Sequence, residues 1–287
     1  MKFSSFTSGF DIEQFLNLLI QKLFPVWYAS HAVKEIDIEA IGHLNPSSFL
    51  SHRWLSVSSV TEAMLNSLED KNEWKTLIEQ LEQLVIEKEY DKRLDISVLN
   101  GFESSQYDDN WENIAEYSKN ACADITKKSA KDFENNIKRA FSEDDQPYHV
   151  YYREWDGRYY YLNKREPIFI AAAMEQLRQG HKFDLKCKLH VESLHMRSLD
   201  RMRNSFWILL MKRESAYLIY QLLSQANLPC QLAEFEWRRN DLCFLIAKKH
   251  NMKLNRILLN LLSTHSSKLI LDWPKFLSQQ NFPFRNR

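Results

Sequence analysis

EWDGRYYYLNKREPIFIAAAMEQLRQG, residues 154–180, is the stretch whose reading decides the fold. Asp156-Gly157 sits between two runs dense in β-favouring aromatics, YHVYYREW and RYYYLN, and Asp-Gly readily supplies the two φ > 0 residues of a type I′ hairpin turn. Pro167 then opens a helix, because its missing N–H would lack an intrahelical partner in the first turn anyway, and Gly180 stops it by tolerating a left-handed conformation. The spacing therefore predicts hairpin, helix over Pro167–Gln179, and a further strand in KFDLKCKLHV. In that strand Phe183, Leu185, Cys187, Leu189 and Val191 face one side, and Lys186 and Lys188 face the other.

Working towards the C-terminus, SFWILLMKR is a short apolar run bounded by polar and charged residues and reads as a buried strand, with one long helix as the alternative. SAYLIYQLLSQAN and KLNRILLNLLSTH carry helical spacing, and PCQLAEFEWR and DLCFLIAKK read as paired strands around Arg239-Asn240. Towards the N-terminus, Asp11–Phe24 has a helical apolar period that predicts a core-facing helix capped by Asp11. IDIEAIG alternates like a short strand and NPSS offers a turn. Ser59 or Thr61 caps one further helix, and Asn72 caps another whose face runs from Trp74 to Val85. One or two helices are expected between Trp111 and Phe141, and SEDDQP marks a boundary. The expectation is an α+β protein with an acidic, mainly helical region at 1–146 and a basic, mixed-sheet region at 147–287.

Composition supports folding and narrows the chemistry. At 287 residues with 44% hydrophobic and 13% aromatic side chains the chain can build a packed core, and five Gly and seven Pro disfavour all-β sandwiches and Gly-rich phosphate loops. Net charge is zero, yet divided at Pro147 the first part carries 15 Lys+Arg against 26 Asp+Glu and the rest 23 against 12. Opposite charge in the two parts suits an internal neutralising interface, or a basic face towards a polyanion. Four Cys without C-x-x-C spacing, no signal-type apolar run and no stretch near the roughly 20 apolar residues a bilayer needs imply a cytoplasmic, reduced, non-membrane protein, and a bacterial or phage-like source is expected.

No Walker loop, nucleophile elbow, H-E-x-x-H or G-x-G-x-x-G is present, so no catalytic residue and no cofactor is assigned. Cys187, His190, Glu192 and His195 cluster in sequence, but on a strand Cys187 and His190 face opposite sides, and no metal is assigned. His31, His43 and His52 read as surface or core histidines. Glu154 and Asp156 form a carboxylate pair near the hairpin tip, although the turn already accounts for Asp156. Lys164 and Arg165 precede a helix N-terminus, whose free N–H groups and dipole favour an anion; the alternative is that Glu166 caps the helix and both cations are solvated.

With Asp156, Gly157, Arg158, Tyr161 and Ala171-Ala172-Ala173, residues 148–191 resemble the ParB/sulfiredoxin-like superfamily, whose pattern D-G-x-y-x-v-x-x-G-x-x-R-x-x-A-A places a Gly, a basic residue and paired Ala at a nucleotide phosphate. Here Lys164-Arg165-Glu166-Pro167 replaces the Gly and basic pair, so the resemblance implies an eroded site in which Arg165 is the phosphate contact carried over. A second cationic set, Arg197, Arg201 and Arg203, with Arg238-Arg239 and Lys248-Lys249, suits nucleic acid, with aromatic side chains between to stack on bases. The expected function is a non-enzymatic binding or regulatory protein whose basic half contacts nucleic acid or an acidic protein partner. The alternatives are a nucleotide-dependent or nuclease-like enzyme centred on Arg165, Asp156 and Glu154, and a structural self-assembling protein.

Overall fold

The computed structural model describes residues 12–42, 44, 57–102, 130–141, 146–162, 167–177, 180–237, 240–280 and 283–284. Among them the chain is α+β, with two sheets. It divides into two units that interleave in sequence: Met1–His43, Ser205–Glu236 and Asn240–Asp272 form one, and Leu44–Asn204, Trp237–Arg239 and Trp273–Arg287 the other. The division expected at 146/147 thus falls inside the second unit.

In the first unit, α1 (Ile12–Leu23), α2 (Pro25–Glu35) and α3 (Ile38–Ile41) precede the sheet. The alternation in IDIEAIG does not become a strand: the Asp37 carboxylate accepts from Ala40 N at 3.1 Å and starts a helical turn, which Gly42 ends at φ +116°. Helix α1 forms where its period predicts, but Leu16, Leu18, Leu19 and Leu23 are exposed rather than core-facing. Periodicity defines an apolar stripe, and it cannot say what covers the stripe.

Strand β6 (Phe206–Lys212) pairs antiparallel with β8 (Asn240–Lys248), from Phe206↔Lys248 to Lys212↔Leu242. The sheet order is β7-β8-β6-β9, with β7 at Cys230–Trp237 and β9 at Leu271–Asp272. Trp207, Leu209 and Met211 alternate onto one face with Cys243, Leu245 and Ala247. They bury against Ala29 and Val33 of α2, Ile219 and Leu223 of α9 (Arg213–Gln225), and Leu254 and Leu258 of α10 (Met252–Thr264). SFWILLMKR is therefore a strand, as its short length suggested.

The second unit begins with α4 (Val57–Ser67) and α5 (Lys75–Glu82). Asp70, not Asn72, holds the turn before α5, because its carboxylate accepts from both Asn72 N and Glu73 N at 3.0 Å. Leu84 and Val85 do not continue α5; Val85 opens β1 (Val85–Asp95), an eleven-residue strand within the region expected to be mainly helical. The five-stranded sheet runs β1-β5-β3-β4-β2, with β2 at Leu99–Phe102, β3 at Tyr148–Arg153, β4 at Arg158–Tyr161 and β5 at Asp184–Leu194. Strand β5 is antiparallel to β1 over Val85↔Leu194 to Asp95↔Asp184 and parallel to β3.

The β3–β4 hairpin forms around Asp156-Gly157 but is not a two-residue type I′ turn. Arg153 pairs with Arg158, so four residues make the loop, and only Gly157 within it has positive φ, at 70°. The N–H groups of Asp156 and Gly157 both donate to Arg153 O, and the Asp156 carboxylate takes Arg158 N at 2.9 Å, so Asp156 keeps an ordinary φ and works through its side chain. Helix α7 (Pro167–Leu177) follows, and Gly180 ends it at φ +100° by donating to Leu177 O. Ala171, Ala172 and Ala173 are fully buried, which lets α6 (Ala130–Ala140) approach α7 closely enough for Asn136 to donate to Gln176 at 2.9 Å. Val150, Tyr161, Leu185, Cys187, Leu189 and Val191 complete this core.

Candidate functional site

The pleat that sends Tyr148, Val150 and Tyr152 into the core sends His149, Tyr151 and Arg153 to the opposite face of the five-stranded sheet. Register brings His149 beside Lys188, Tyr151 beside His190 and Arg153 beside Glu192, and places Glu87, Glu89 and Asp91 of β1 on the same face, opposite Glu192, His190 and Lys188 of β5. Three polar layers result. In the outermost, Lys188 Nζ bridges Glu89 and Asp91, each at 3.0 Å. In the middle layer Glu87 Oε1 meets His190 Nδ1 at 2.7 Å, His190 Nε2 meets His149 Nδ1 at 2.7 Å, and the Tyr151 ring stacks on His190 at 4.7 Å.

The third layer is buried. Arg153 donates from Nε to Glu192 at 3.0 Å, with both side chains almost wholly removed from solvent, and its guanidinium lies 4.3 Å from the centre of the Tyr160 ring. Tyr160 in turn donates to Asp156 Oδ2 at 2.5 Å. Burial pushes the Asp156 carboxyl up to about 6, against the opposing pull of the Tyr160 hydrogen bond and of Arg153, and burial likewise raises the Tyr160 phenol. A carboxyl near 6 beside a phenol is chemistry an active site uses, but here each partner is committed to another side chain of the same layer. Glu154 is also engaged, accepting from Phe284 N at 2.8 Å.

Of the residues singled out in the sequence, Lys164 and Arg165 lie outside the described residues, as do Arg238, Arg239, His43, His52 and Glu166. Arg197, Arg201 and Arg203 lie on α8 (Met196–Ser205), all exposed, while Ser198, Leu199 and Met202 are buried. Arg197 and Arg201 stand one turn apart on one face. Arg203 reaches round to Asp200 at 3.5 Å and donates to Ser278 of α11 (Trp273–Ser278) at 3.4 Å. Cys187 points into the core and His190 onto the polar face, and among the described residues no group of three His, Cys, Asp or Glu is disposed to hold a metal ion. Burial pushes the thiols up, Cys187 to about 11 and Cys230 and Cys243 to about 12, which makes them poor nucleophiles.

A model for a family of unknown function (DUF6685) matches residues 89–286. The chain belongs to that family. The DUF6685 match begins inside β1 and takes in both sheets from there, so it covers the polar face except Glu87 and leaves α1 to α5 ahead of it. No curated protein matches the chain, and no solved structure does. No helix among the described residues is long and apolar enough to cross a membrane.

Sequence reasoning missed Glu87, His149, His190, Tyr151, Arg153 and Glu192 as a group. The usable signal was alternation: the non-core positions of YHVYYR and DLKCKLHVESL are His149, Tyr151 and Arg153, and Lys188, His190 and Glu192. Which of them meet depends on strand order, which alternation does not contain.

Proposed function

We propose that this DUF6685 protein is a non-enzymatic binding or regulatory protein of the cytoplasm whose basic C-terminal half contacts an anionic partner, with nucleic acid the ligand its chemistry suits best. The observation that carries the reading is the α8 face: Arg197 and Arg201 are exposed one helical turn apart, on a helix anchored through Ser198, Leu199 and Met202. Two guanidinium groups at that spacing can take phosphates of one backbone. Support also comes from the carboxylates that a nuclease-like reading would use, because Asp156 and Glu154 are spent on Tyr160, Arg158 N and Phe284 N. The likeness of residues 148–191 to the ParB/sulfiredoxin-like group belongs to the same proposal, as a relationship of fold with an eroded phosphate site.

The test is fluorescence anisotropy with labelled duplex DNA and single-stranded RNA across a salt series. Binding is expected at low salt, and Arg197→Ala/Arg201→Ala is expected to flatten the salt dependence on duplex DNA by roughly two units of slope, one for each phosphate that no longer meets an arginine. Absence of binding to either nucleic acid at low salt, or an unchanged slope in the double variant, overturns the proposal.

A further inference from the structure

We infer that the exposed leucine face of α1 closes on the same face of a second copy of this chain, with the two helices antiparallel about a two-fold axis. Leu16, Leu18, Leu19 and Leu23 are between 41% and 64% exposed, and Phe24 and Trp27, at 62% and 54%, follow them at the junction with α2 and in its first turn. Leu16, Leu19 and Leu23 recur at i, i+3 and i+7, so they form one seam along the helix. At about 100° per residue Gln21 stands opposite that seam, and Gln21 ties α1 down by donating to Gln225 of α9 at 2.6 Å. The seam therefore faces away from the helix that holds α1.

Size and charge point to the occupant. At about 150–250 Å² for each large apolar side chain, these residues leave roughly 600 Å² in water, as much as the largest apolar patch of an ordinary monomer. Two copies meeting through that face would remove roughly 1,200 Å², which reaches the lower bound of a specific protein–protein interface. A lipid surface fits less well. Interfacial helices carry Lys and Arg beside their apolar side, whereas residues 12–42 hold Lys22 and Lys34 against Glu13, Glu35, Asp37 and Glu39.

The order of residues sets the orientation. Leu16 and Leu19 lie at equal distances on either side of the midpoint of α1, so an antiparallel pair seats Leu16 against the partner's Leu19 and Leu19 against the partner's Leu16. That is the reciprocal contact a two-fold interface requires. Leu23 then reaches the first turn of the partner helix. Lys22, in the last turn, falls at opposite ends of such a pair, whereas a parallel pair would set two Lys22 side chains at the same height. The helix dipoles also oppose one another only in the antiparallel arrangement.

Sedimentation velocity of the full chain across a dilution series tests this. A concentration-dependent species of twice 34.3 kDa is expected. Leu19→Glu brings a charge into the interface twice, and it is expected to weaken association at least about a hundredfold without altering the circular dichroism spectrum. Leu259→Glu, at an exposed position on α10 of the same unit, should leave association unchanged. Leu16→Lys/Leu19→Glu should recover much of what Leu19→Glu loses, because antiparallel pairing sets opposite charges across both contacts. A chain that stays monomeric overturns the inference, whether its leucine face is covered by another stretch of the chain or binds phosphatidylcholine vesicles. Equal association in the two single variants, or a double variant no better than Leu19→Glu, overturns it as well.

Discussion

Arg153 and Glu192 lend themselves to a double-mutant cycle with a large expected signal. Their side chains are 1% and 8% exposed, and one Nε–H···Oε2 bond of 3.0 Å joins them. Removing one partner takes the 3.0 Å ion pair from the other charge in a site closed to water, and for buried pairs this costs about 3–5 kcal/mol. Arg153→Met also forfeits the guanidinium stacking on Tyr160, worth about 0.5–2 kcal/mol, whereas Glu192→Leu keeps it but leaves a buried cation unable to lose its proton. Each single change is therefore expected to cost at least about 3 kcal/mol. The double change Arg153→Met/Glu192→Leu fills similar volume with apolar atoms and removes both desolvation penalties, so it is expected to be more stable than either single variant. Urea unfolding followed by circular dichroism measures all four corners of the cycle at constant pH. Single changes costing under about 1 kcal/mol, or a double variant no better than the worse single, would refute the view that the pair is electrostatically buried.

Asp156 predicts a pH dependence with a definite sign. Its carboxyl stands at about 6 in the folded chain against 3.8 unfolded, so the folded state binds the extra proton, and the stabilisation present below about 4 is lost as pH rises through about 6. The full shift corresponds to about 3 kcal/mol, most of which should be missing from the difference in unfolding free energy between pH 4 and pH 7 in Asp156→Asn. Ala172→Leu places three extra carbons at a fully buried position of α7, and an expected cost of about 1–3 kcal/mol should appear as a lower melting temperature with unchanged secondary structure.

Local signals were readable wherever a residue's own chemistry sets the conformation. Pro167, Gly180 and the short apolar run at β6 did what their side chains dictate, and Asp156-Gly157 turned the chain even though the turn is longer than expected. Strand β1 was misread because VIEKEYDKRLD follows an amphipathic helix without a breaker; its stability as a strand comes from eleven partners on β5 about a hundred residues away. The polar face was hidden for the same reason. His149 and His190 are ordinary histidines until parallel pairing of β3 with β5 sets them side by side. On α8, Arg197 and Arg201 are close in sequence, but it is the helix, absent from the sequence expectation, that sets them one turn apart.

The interleaving of the two units has a consequence for the order in which the chain can be built on a ribosome. Ala29 and Val33 of α2 share a core with Trp207 and Leu245, about 180 to 215 residues downstream. At roughly 5–20 residues per second, the nascent α2 waits for roughly 10 to 40 s before its partners are synthesised. Throughout that interval the apolar side of α2 is open to other nascent chains and to chaperones, while residues 44–204 emerge and can assemble their own sheet. The five-stranded sheet of the second unit is thus the part able to form first, and the N-terminal helices, though made earliest, are among the last segments to find their place.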